Sequence, residues 1–358
     1  MGIKEALIQE IREKGPIPFS RFMELCLYHP QWGYYLQPKA RQGKAGDYFT
    51  APTLSPLFGK VLAKWVSKAS EEIKGNLSLL ELGSGEGYLA KDILSALKER
   101  DPFLFERIEY LSLEKNPHLI QRQRKLLREF EGKVKWPLWE EIKEIRGIVI
   151  GNEFFDAFPV ERVKVRDGKL WEIRIDFSKD EFRELLFPAS KPVEEYFQYS
   201  GGIPPEGTFS EAHILGLKFF EELLQKLKEK FIVLIDYGYT TSELLSRLFP
   251  EGTLRAFKNH RVFNNLLNDP GERDLTSSLN FTVFIKKAEE LGWKVLRFGE
   301  LDKFLIDCGI LEELEGEDKI KERLQAKILL LPQMMGKVFK VLILKKEVQN
   351  ERARSFRS

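Results

Sequence analysis

Between Leu79 and Ala90 the chain reads Leu-Leu-Glu-Leu-Gly-Ser-Gly-Glu-Gly-Tyr-Leu-Ala. An apolar run, closely spaced glycines and a second apolar pattern predict a buried strand, a tight turn and a helix. Gly83 and Gly85 let the backbone come close to a ligand, with Ser84 between them, and the start of the next helix offers free N–H groups. The spacing is not the dinucleotide pattern G-x-G-x-x-G, because Tyr88 stands where its third glycine would be. Glu81 places a carboxylate at the end of the strand. A carboxylate there suits a ligand with a positive charge better than it suits a pyrophosphate. S-adenosylmethionine, which carries an ammonium and a sulfonium, has that chemistry. Tight strand–helix packing alone would also use glycines here.

Three further groups of residues can do chemistry at the same crevice. Glu114 ends the next expected strand, where an acidic side chain accepts hydrogen bonds from ribose hydroxyls. Asn152-Glu153-Phe154-Phe155-Asp156 follows a later apolar strand and supplies an amide, two carboxylates and two aromatic rings. These could hold the methionine end of the cofactor and a cationic acceptor, with a ring face against the sulfonium. Asn152 as a helix cap and both phenylalanines in the core is the competing reading. Asp47, with Tyr48 and Phe49, could fold over the crevice as a lid or simply anchor its loop. His29, His118, His213 and His260 show no metal-ligand spacing, so no metal is expected, and no P-loop or Ser-His-Asp order is visible.

The elements that must position these groups follow from periodicity. Ile3, Leu7, Ile8 and Ile11 mark a helix ended by Gly15-Pro16, and Ser20 can cap a second over Arg21 to Tyr28. Ser55-Pro56 opens another. From Leu77 the pattern alternates. Strands are expected at Leu77–Leu82, Ile108–Leu113, Lys133–Trp136 and Gly147–Gly151, with helices over Tyr88–Glu99 and after Asn116-Pro117. This rhythm predicts a parallel sheet with ligands at the carboxyl ends of its strands. It breaks at a hairpin, Arg162–Arg166 and Lys169–Ile175, around Asp167-Gly168. Residues 178–207 read as irregular, a helix is expected from Phe209 to Lys230, and a strand at Phe231–Asp236. Residues 252–281 read as polar loop. A strand at Lys294–Phe298, helices over about 300–329 and a strand at Lys337–Leu344 complete the sheet, before a charged, frayed tail.

Composition narrows the function classes. The chain has 358 residues, of which 43% are hydrophobic, enough for a sizeable core. Lys+Arg 57 against Asp+Glu 55 leaves a net charge of +2, without the basic excess of a nucleic-acid binder. Cys26 and Cys308 are far apart in apolar helical patterns, which argues against a disulfide framework. No apolar run approaches membrane-spanning length. Glu5, Glu10 and Glu13 near the start, without an apolar core segment, match neither a signal nor a transit peptide, so a cytoplasmic location is expected.

Several blocks in one order resemble the MidA-like class I S-adenosylmethionine-dependent methyltransferases, whose members include the mitochondrial complex I assembly methyltransferase. They are Leu27-Tyr28-His29-Pro30 with Gly33-Tyr34-Tyr35, Gly46-Asp47-Tyr48-Phe49-Thr50, the glycine turn, Asn152 to Ala157, Asp236-Tyr237-Gly238, and Pro270-Gly271 with Asp274-Leu275-Thr276. The likeness runs from about Gly15 to Ile310. It implies an α/β fold, a Rossmann-like methyltransferase sheet with a helical N-terminal extension and an inserted α+β segment. The implied divisions are an N-terminal lid (1–70), a cofactor-binding half (71–159), an inserted substrate segment (160–230), the second half of the sheet (231–345) and a tail (346–358).

The resemblance also implies S-adenosylmethionine as cofactor and methylation of an arginine on a protein, a respiratory complex subunit in the mitochondrial relatives. Carried over by position, Gly83, Gly85 and Glu114 bind the cofactor, Asn152 and Glu153 line its methionine end or the acceptor site, and Asp47 lies nearby. With Glu81 and Ser84 of the glycine turn added, the expected cofactor residues are Asp47, Glu81, Gly83, Ser84, Gly85, Glu114 and Asn152, and Glu153 and Asp156 are the candidates to orient a charged arginine acceptor. After Thr276 the family continues Ala-His-Val-Asp-Phe, whereas this chain has Ser277-Ser278-Leu279-Asn280-Phe281, without the histidine and the acid. Two other readings compete. One is a non-catalytic assembly factor that binds cofactor and partner. The other is an NAD-dependent oxidoreductase, against which Tyr88 speaks.

Overall fold

The structure, a computed structural model, describes residues 2–39, 41, 43, 46–316 and 319–346. Its centre is a sheet of β1 (Leu77–Leu82), β2 (Ile108–Leu113), β3 (Val134–Lys135), β4 (Ile145–Asn152), β5 (Leu227–Tyr239), β6 (Lys294–Glu300) and β7 (Phe339–Lys345). Their spatial order is β6-β7-β5-β4-β1-β2-β3, with the short strand Leu279–Asn280 joined to the end of β5. Only β7 runs against its neighbours. β1 leads to β2 on one side, and the chain later returns to β4 on its other side. The carboxyl ends of β1 and β4 therefore flank the point where the winding reverses, where open α/β sheets hold ligands.

Period-2 alternation explains why this sheet is buried on both faces. Leu77 and Leu79, Ile148 and Ile150, Val233 and Ile235, Val341 and Ile343 meet the helices Pro56–Ser70 and Tyr88–Arg100. Leu80 and Leu82, Val149, Ile232 and Leu234, Leu342 and Leu344 meet Ile214–Lys226 and Phe281–Glu290 on the other side. Each such side chain contributes about 1.5–3 kcal/mol by leaving water, so neither face tolerates a register slip.

A second sheet stands beside the first. Glu161–Arg166, Lys169–Ser178, Glu181–Pro188 and Phe209–Ala212 pair antiparallel, and Ile17–Pro18 adds to Lys169–Ser178. The helices Ile3–Lys14 and Phe19–Tyr28 pack on it through Leu7, Ile11, Phe19, Phe22 and Leu27, against Ile173, Ile175, Leu254 and Leu275.

Four stretches differ from expectation. Residues 178–207 are not irregular, since they contain the strand Glu181–Pro188 and the helix Lys191–Ser200. The strand lies at an edge and is largely exposed, so its sequence lacks clean apolar alternation. The helix expected over Phe209–Lys230 divides. Phe209–Ala212 pairs with Glu161–Lys164, the helix proper is Ile214–Lys226, and β5 already begins at Leu227. Residues 252–281 hold short strands at Arg255–Lys258, Arg261–Phe263 and Asp274–Thr276, whose pairing with one another overrides their polar composition. Ser20 is not a cap: its helix begins at Phe19, and its hydroxyl donates to Glu161. The expected frayed tail after Lys345 lies, beyond Lys346, outside the described residues.

Candidate active site

β1 delivers Glu81, buried beneath the cleft, and then the glycine turn. Gly83, Gly85 and Gly87 have φ of 66°, 54° and 84°, a region side-chain-bearing residues seldom adopt. At Gly83 a Cβ would also stand 2.7 Å from Cδ2 of Phe154. The turn is fixed from below. Gly83 N donates to Leu113 O (2.9 Å), and the buried Gln123 amide donates to Gly85 O (2.7 Å) and Ser84 Oγ (3.1 Å). Glu114 sits beside it, accepting from Gly85 N and from Asn116 N, each at 2.9 Å.

β4 ends at Asn152 and turns sharply at Glu153, which has φ 50°. A glutamate in that conformation costs free energy that the surroundings must offset. They do so through Asp236 at the end of β5. Its Oδ2 accepts from the N–H groups of Phe154, Phe155 and Asp156 (3.2, 2.9 and 3.3 Å), and its Oδ1 from Tyr237 N (2.9 Å). Glu153 N donates to Ile235 O (2.9 Å), and Ser277 N donates to Asp156 O (2.9 Å). Both phenylalanines go under the turn. Phe155 is 1% exposed, and Phe154 packs edge-on to it in a ring cluster with Phe158 and Phe219.

Above these ends lies a cleft enclosing about 730 Å³ of empty space, open solvent at its mouth included. Glu81, Gly83, Ser84, Tyr88, Asn152, Glu153, Asp156 and Asp274 line it, with aromatic walls from Tyr35, Tyr48, Phe49, Tyr237 and Phe257. The aromatic faces thus come from the N-terminal segment, Tyr88 at the start of its helix, β5 and the strand Arg255–Lys258, not from Phe154 and Phe155. Asp47 does not line the cleft. It accepts from Tyr34 Oη (2.9 Å), Arg41 Nη1 (3.2 Å) and Asn259 N (3.0 Å), so it ties the loop bearing Tyr48 and Phe49 to the turn at Asn259. Gly85 and Glu114 are not among the cleft's lining residues and stand next to the lining Ser84, with Gly85 N donating to Glu114 Oε2.

The electrostatics of the cleft are one-sided. Burial pushes Glu81 up to about 8 despite the hydrogen bond it accepts from Tyr110 Oη (2.7 Å). Burial and then the nearby Asp156 push Glu153 up to about 8. Burial and then Asp236 hold Asp156 well above the usual carboxylate range. Burial lifts Asp236 to about 8 and Asp274 to about 7, each opposed by its hydrogen bonds. Among the described residues no lysine or arginine forms an ion pair with any of these five. Arg41, whose field reaches Asp274, is itself paired to Asp47. Asn152 Nδ2 donates to Glu153 Oε1 (3.1 Å), while its Oδ1 is buried without a partner. An orphaned acceptor, a glycine cradle and buried carboxylates fit a ligand that brings N–H donors and positive charge.

An S-adenosyl-L-methionine-dependent methyltransferase family, Methyltransf_28, matches residues 59–299, more than half of the chain. The chain belongs to this methyltransferase family. A crystal structure of a COG1565 superfamily member from Burkholderia thailandensis, bound to S-adenosyl-homocysteine, superposes with a TM-score of 0.90 at 28% identity, covering 97% of this chain and 92% of that one. The Drosophila melanogaster protein arginine methyltransferase NDUFAF7 homolog, mitochondrial, is 27% identical over 353 residues, covering 90% of this chain and 77% of the relative. The human protein arginine methyltransferase NDUFAF7, mitochondrial, is 26% identical over 372 residues, covering 93% and 81%. The methyltransferase thus has a Rossmann-like class I fold and uses S-adenosylmethionine, and the nicotinamide alternative falls. Sequence reasoning gave no role to the cleft residues Asp274, Tyr35, Tyr237 and Phe257, or to Asp236 beneath the turn. Asp236 was legible as an acid at a strand's carboxyl end, as Glu81 was, whereas Asp274 and Tyr35 were marked only by the blocks that resemble the family.

Proposed function

We propose that this methyltransferase transfers its methyl group to a guanidinium nitrogen of an arginine in a protein. One observation carries the reading: the buried carboxylates Glu81, Asp156 and Asp274 and the half-buried Glu153 line one cleft, with the buried Asp236 beneath its turn, and among the described residues no basic side chain is paired to any of them. Burying unpartnered charge is costly, so a cation entering the cleft is favoured. The cofactor brings positive charge at its own end. The further carboxylates between aromatic walls suit a second, planar cation, and guanidinium is planar and always charged. The names of the relatives support the same acceptor.

In this reading Gly83, Ser84 and Gly85 cradle the cofactor, Glu114 takes its ribose hydroxyls, and Glu81 and Asn152 Oδ1 face its cationic methionine end. Asp47 fixes the lid loop. Bound S-adenosylmethionine supplies an already activated methyl group, so the protein's task is mainly placement. Glu153 and Asp156 accept hydrogen bonds from the guanidinium and hold one nitrogen toward the methyl carbon. Glu153 takes the proton that leaves this nitrogen as the carbon–nitrogen bond forms and the carbon–sulfur bond breaks. A docked cation attracts the carboxylate form, against the burial and the Asp156 repulsion that raise its pKa, so that form becomes available at neutral pH.

The partner is a protein, with a respiratory-complex subunit the first to test. The relatives are named mitochondrial, and cell fractionation reads whether this chain shares that location or the cytoplasmic one expected from its sequence. Changing Glu153→Gln and Asp156→Asn together should abolish transfer to arginine and leave cofactor affinity within a few-fold. Survival of arginine transfer sinks the reading. Cofactor binding by the wild type without transfer to any protein favours the assembly-factor alternative.

A further inference from the structure

Resting on the arginine reading, we propose that Asp274, oriented by Tyr35, is a third carboxylate that grips the acceptor guanidinium from an element separate from the Glu153–Asp156 turn. Asp274 reaches the cleft from a separate element, the strand Asp274–Thr276 of the small sheet, where it pairs with Phe257. It is 3% exposed and lines the same cleft as Glu153, Asp156 and Phe257. Its Oδ1 accepts from Tyr35 Oη at 2.5 Å, and no other hydrogen bond to this carboxylate forms among the described residues. A buried carboxylate with two oxygens and one neutral donor is under-served, and an open cleft before it leaves room for donors from a ligand.

The departure after Thr276 sharpens this assignment. Asn280, where the family pattern has an acid, does not face the cleft. It caps the helix Phe281–Glu290 by accepting from Thr282 N (3.2 Å), and it bonds Thr241 Oγ1 (2.9 Å). Asp274 is therefore the acid that this segment brings to the cleft. Tyr35 is well placed to orient it. Its ring stacks on Tyr28, its backbone oxygen accepts from Asn116 Nδ2 (2.7 Å), and Asn116 in turn donates to Glu114. A guanidinium presents five N–H donors in a rigid fork, more than one carboxylate can accept, so carboxylates on two elements can fix its plane. An ammonium, a compact point charge, gains less from that arrangement.

The test uses the full chain loaded with S-adenosyl-homocysteine and three small probes, N-acetyl-arginine amide, N-acetyl-lysine amide and the neutral isostere N-acetyl-citrulline amide. Calorimetry or ligand-observed NMR reads the dissociation constants. The expected order is arginine amide tightest, lysine amide at least threefold weaker and citrulline amide undetected. Asp274→Asn should weaken the arginine probe at least tenfold, and Tyr35→Phe about threefold, with S-adenosyl-homocysteine affinity unchanged within twofold. If the wild type prefers the lysine probe, or binds neither cation, the arginine reading falls and this inference with it. If the wild type prefers arginine but both variants bind it as the wild type does, only the inference is overturned. Should Asp274→Asn fail to fold, Tyr35→Phe decides alone: an unchanged arginine constant overturns the proposal.

Discussion

Changing Asp236→Asn probes the part of the site that sequence reasoning did not assign. The Asp236 carboxylate accepts four backbone N–H groups, three on Oδ2 and one on Oδ1. The better orientation of an amide keeps its oxygen on the three and turns its NH2 toward the N–H of Tyr237. One buried donor is then unsatisfied, at about 1–3 kcal/mol, and three charge-assisted bonds weaken to neutral ones at about 0.5 kcal/mol each. Relief of repulsion with Asp156 and Glu153 returns part of this. The net loss should be about 2–3 kcal/mol, a fall in melting temperature of about 3–4 °C for a chain of this size. The same bonds hold Glu153 at its positive φ, so turnover should drop at least tenfold, while Gly83 and Gly85 keep the cofactor. Differential scanning fluorimetry and a methyl-transfer assay, run above pH 8 where Asp236 is ionised, read both effects. A melting temperature within 1 °C of wild type, with unchanged turnover, would show that Asp236 does not clamp the turn.

Gly83→Ala adds a Cβ 2.7 Å from Phe154 at φ 66°, costing about 1–2 kcal/mol in backbone conformation and more in ring displacement. Calorimetry should show at least a tenfold loss of cofactor affinity, and an unchanged constant would contradict the cradle. The cofactor-free protein should lose stability as pH rises from about 4 to about 8. Glu81 and Glu153 (4.5 to about 8) and Asp274 (3.8 to about 7) are raised, so the folded state holds protons that the unfolded state has released in that window. Each such proton gives a slope of about 1.4 kcal/mol per pH unit. Melts of Glu153→Gln should show a shallower slope than wild type, and a wild-type melting temperature that rises over this range refutes the reading. Asp47→Ala should raise the KM for acceptor through loosening of the loop with Tyr48 and Phe49, and steady-state kinetics with an unchanged KM would remove the lid role.

What was legible in the sequence was what local rules control. The strand ends at Leu82 and Leu113 followed from apolar runs meeting Gly and Glu, and the end expected at Gly151 stands one residue before the observed one at Asn152. Ser55 and Asn116 cap their helices as expected, accepting from Leu57 N and His118 N. What escaped depends on partners distant in the chain. Phe209–Ala212 looks helical until it pairs with Glu161–Lys164. Phe154 and Phe155 sit beside ligand-type residues, yet they turn down into the ring cluster because Asp236 bends the backbone there. Asp274 and Tyr35 meet only through the fold. The sequence offers Asp47 as lid residue or loop anchor, and its bonds to Tyr34, Arg41 and Asn259 put it at the base of the loop while Tyr48 and Phe49 face the cleft.

The central claim is the acceptor. The most direct measurement incubates the protein with methyl-labelled S-adenosylmethionine and the proteome of cells lacking it, then identifies the labelled residue by mass spectrometry and acid hydrolysis. The account predicts label on an arginine of one or a few proteins, recovered as methylarginine and absent with the Glu153→Gln, Asp156→Asn double variant. Label on any other residue type, or on arginine with the double variant as with wild type, would contradict it.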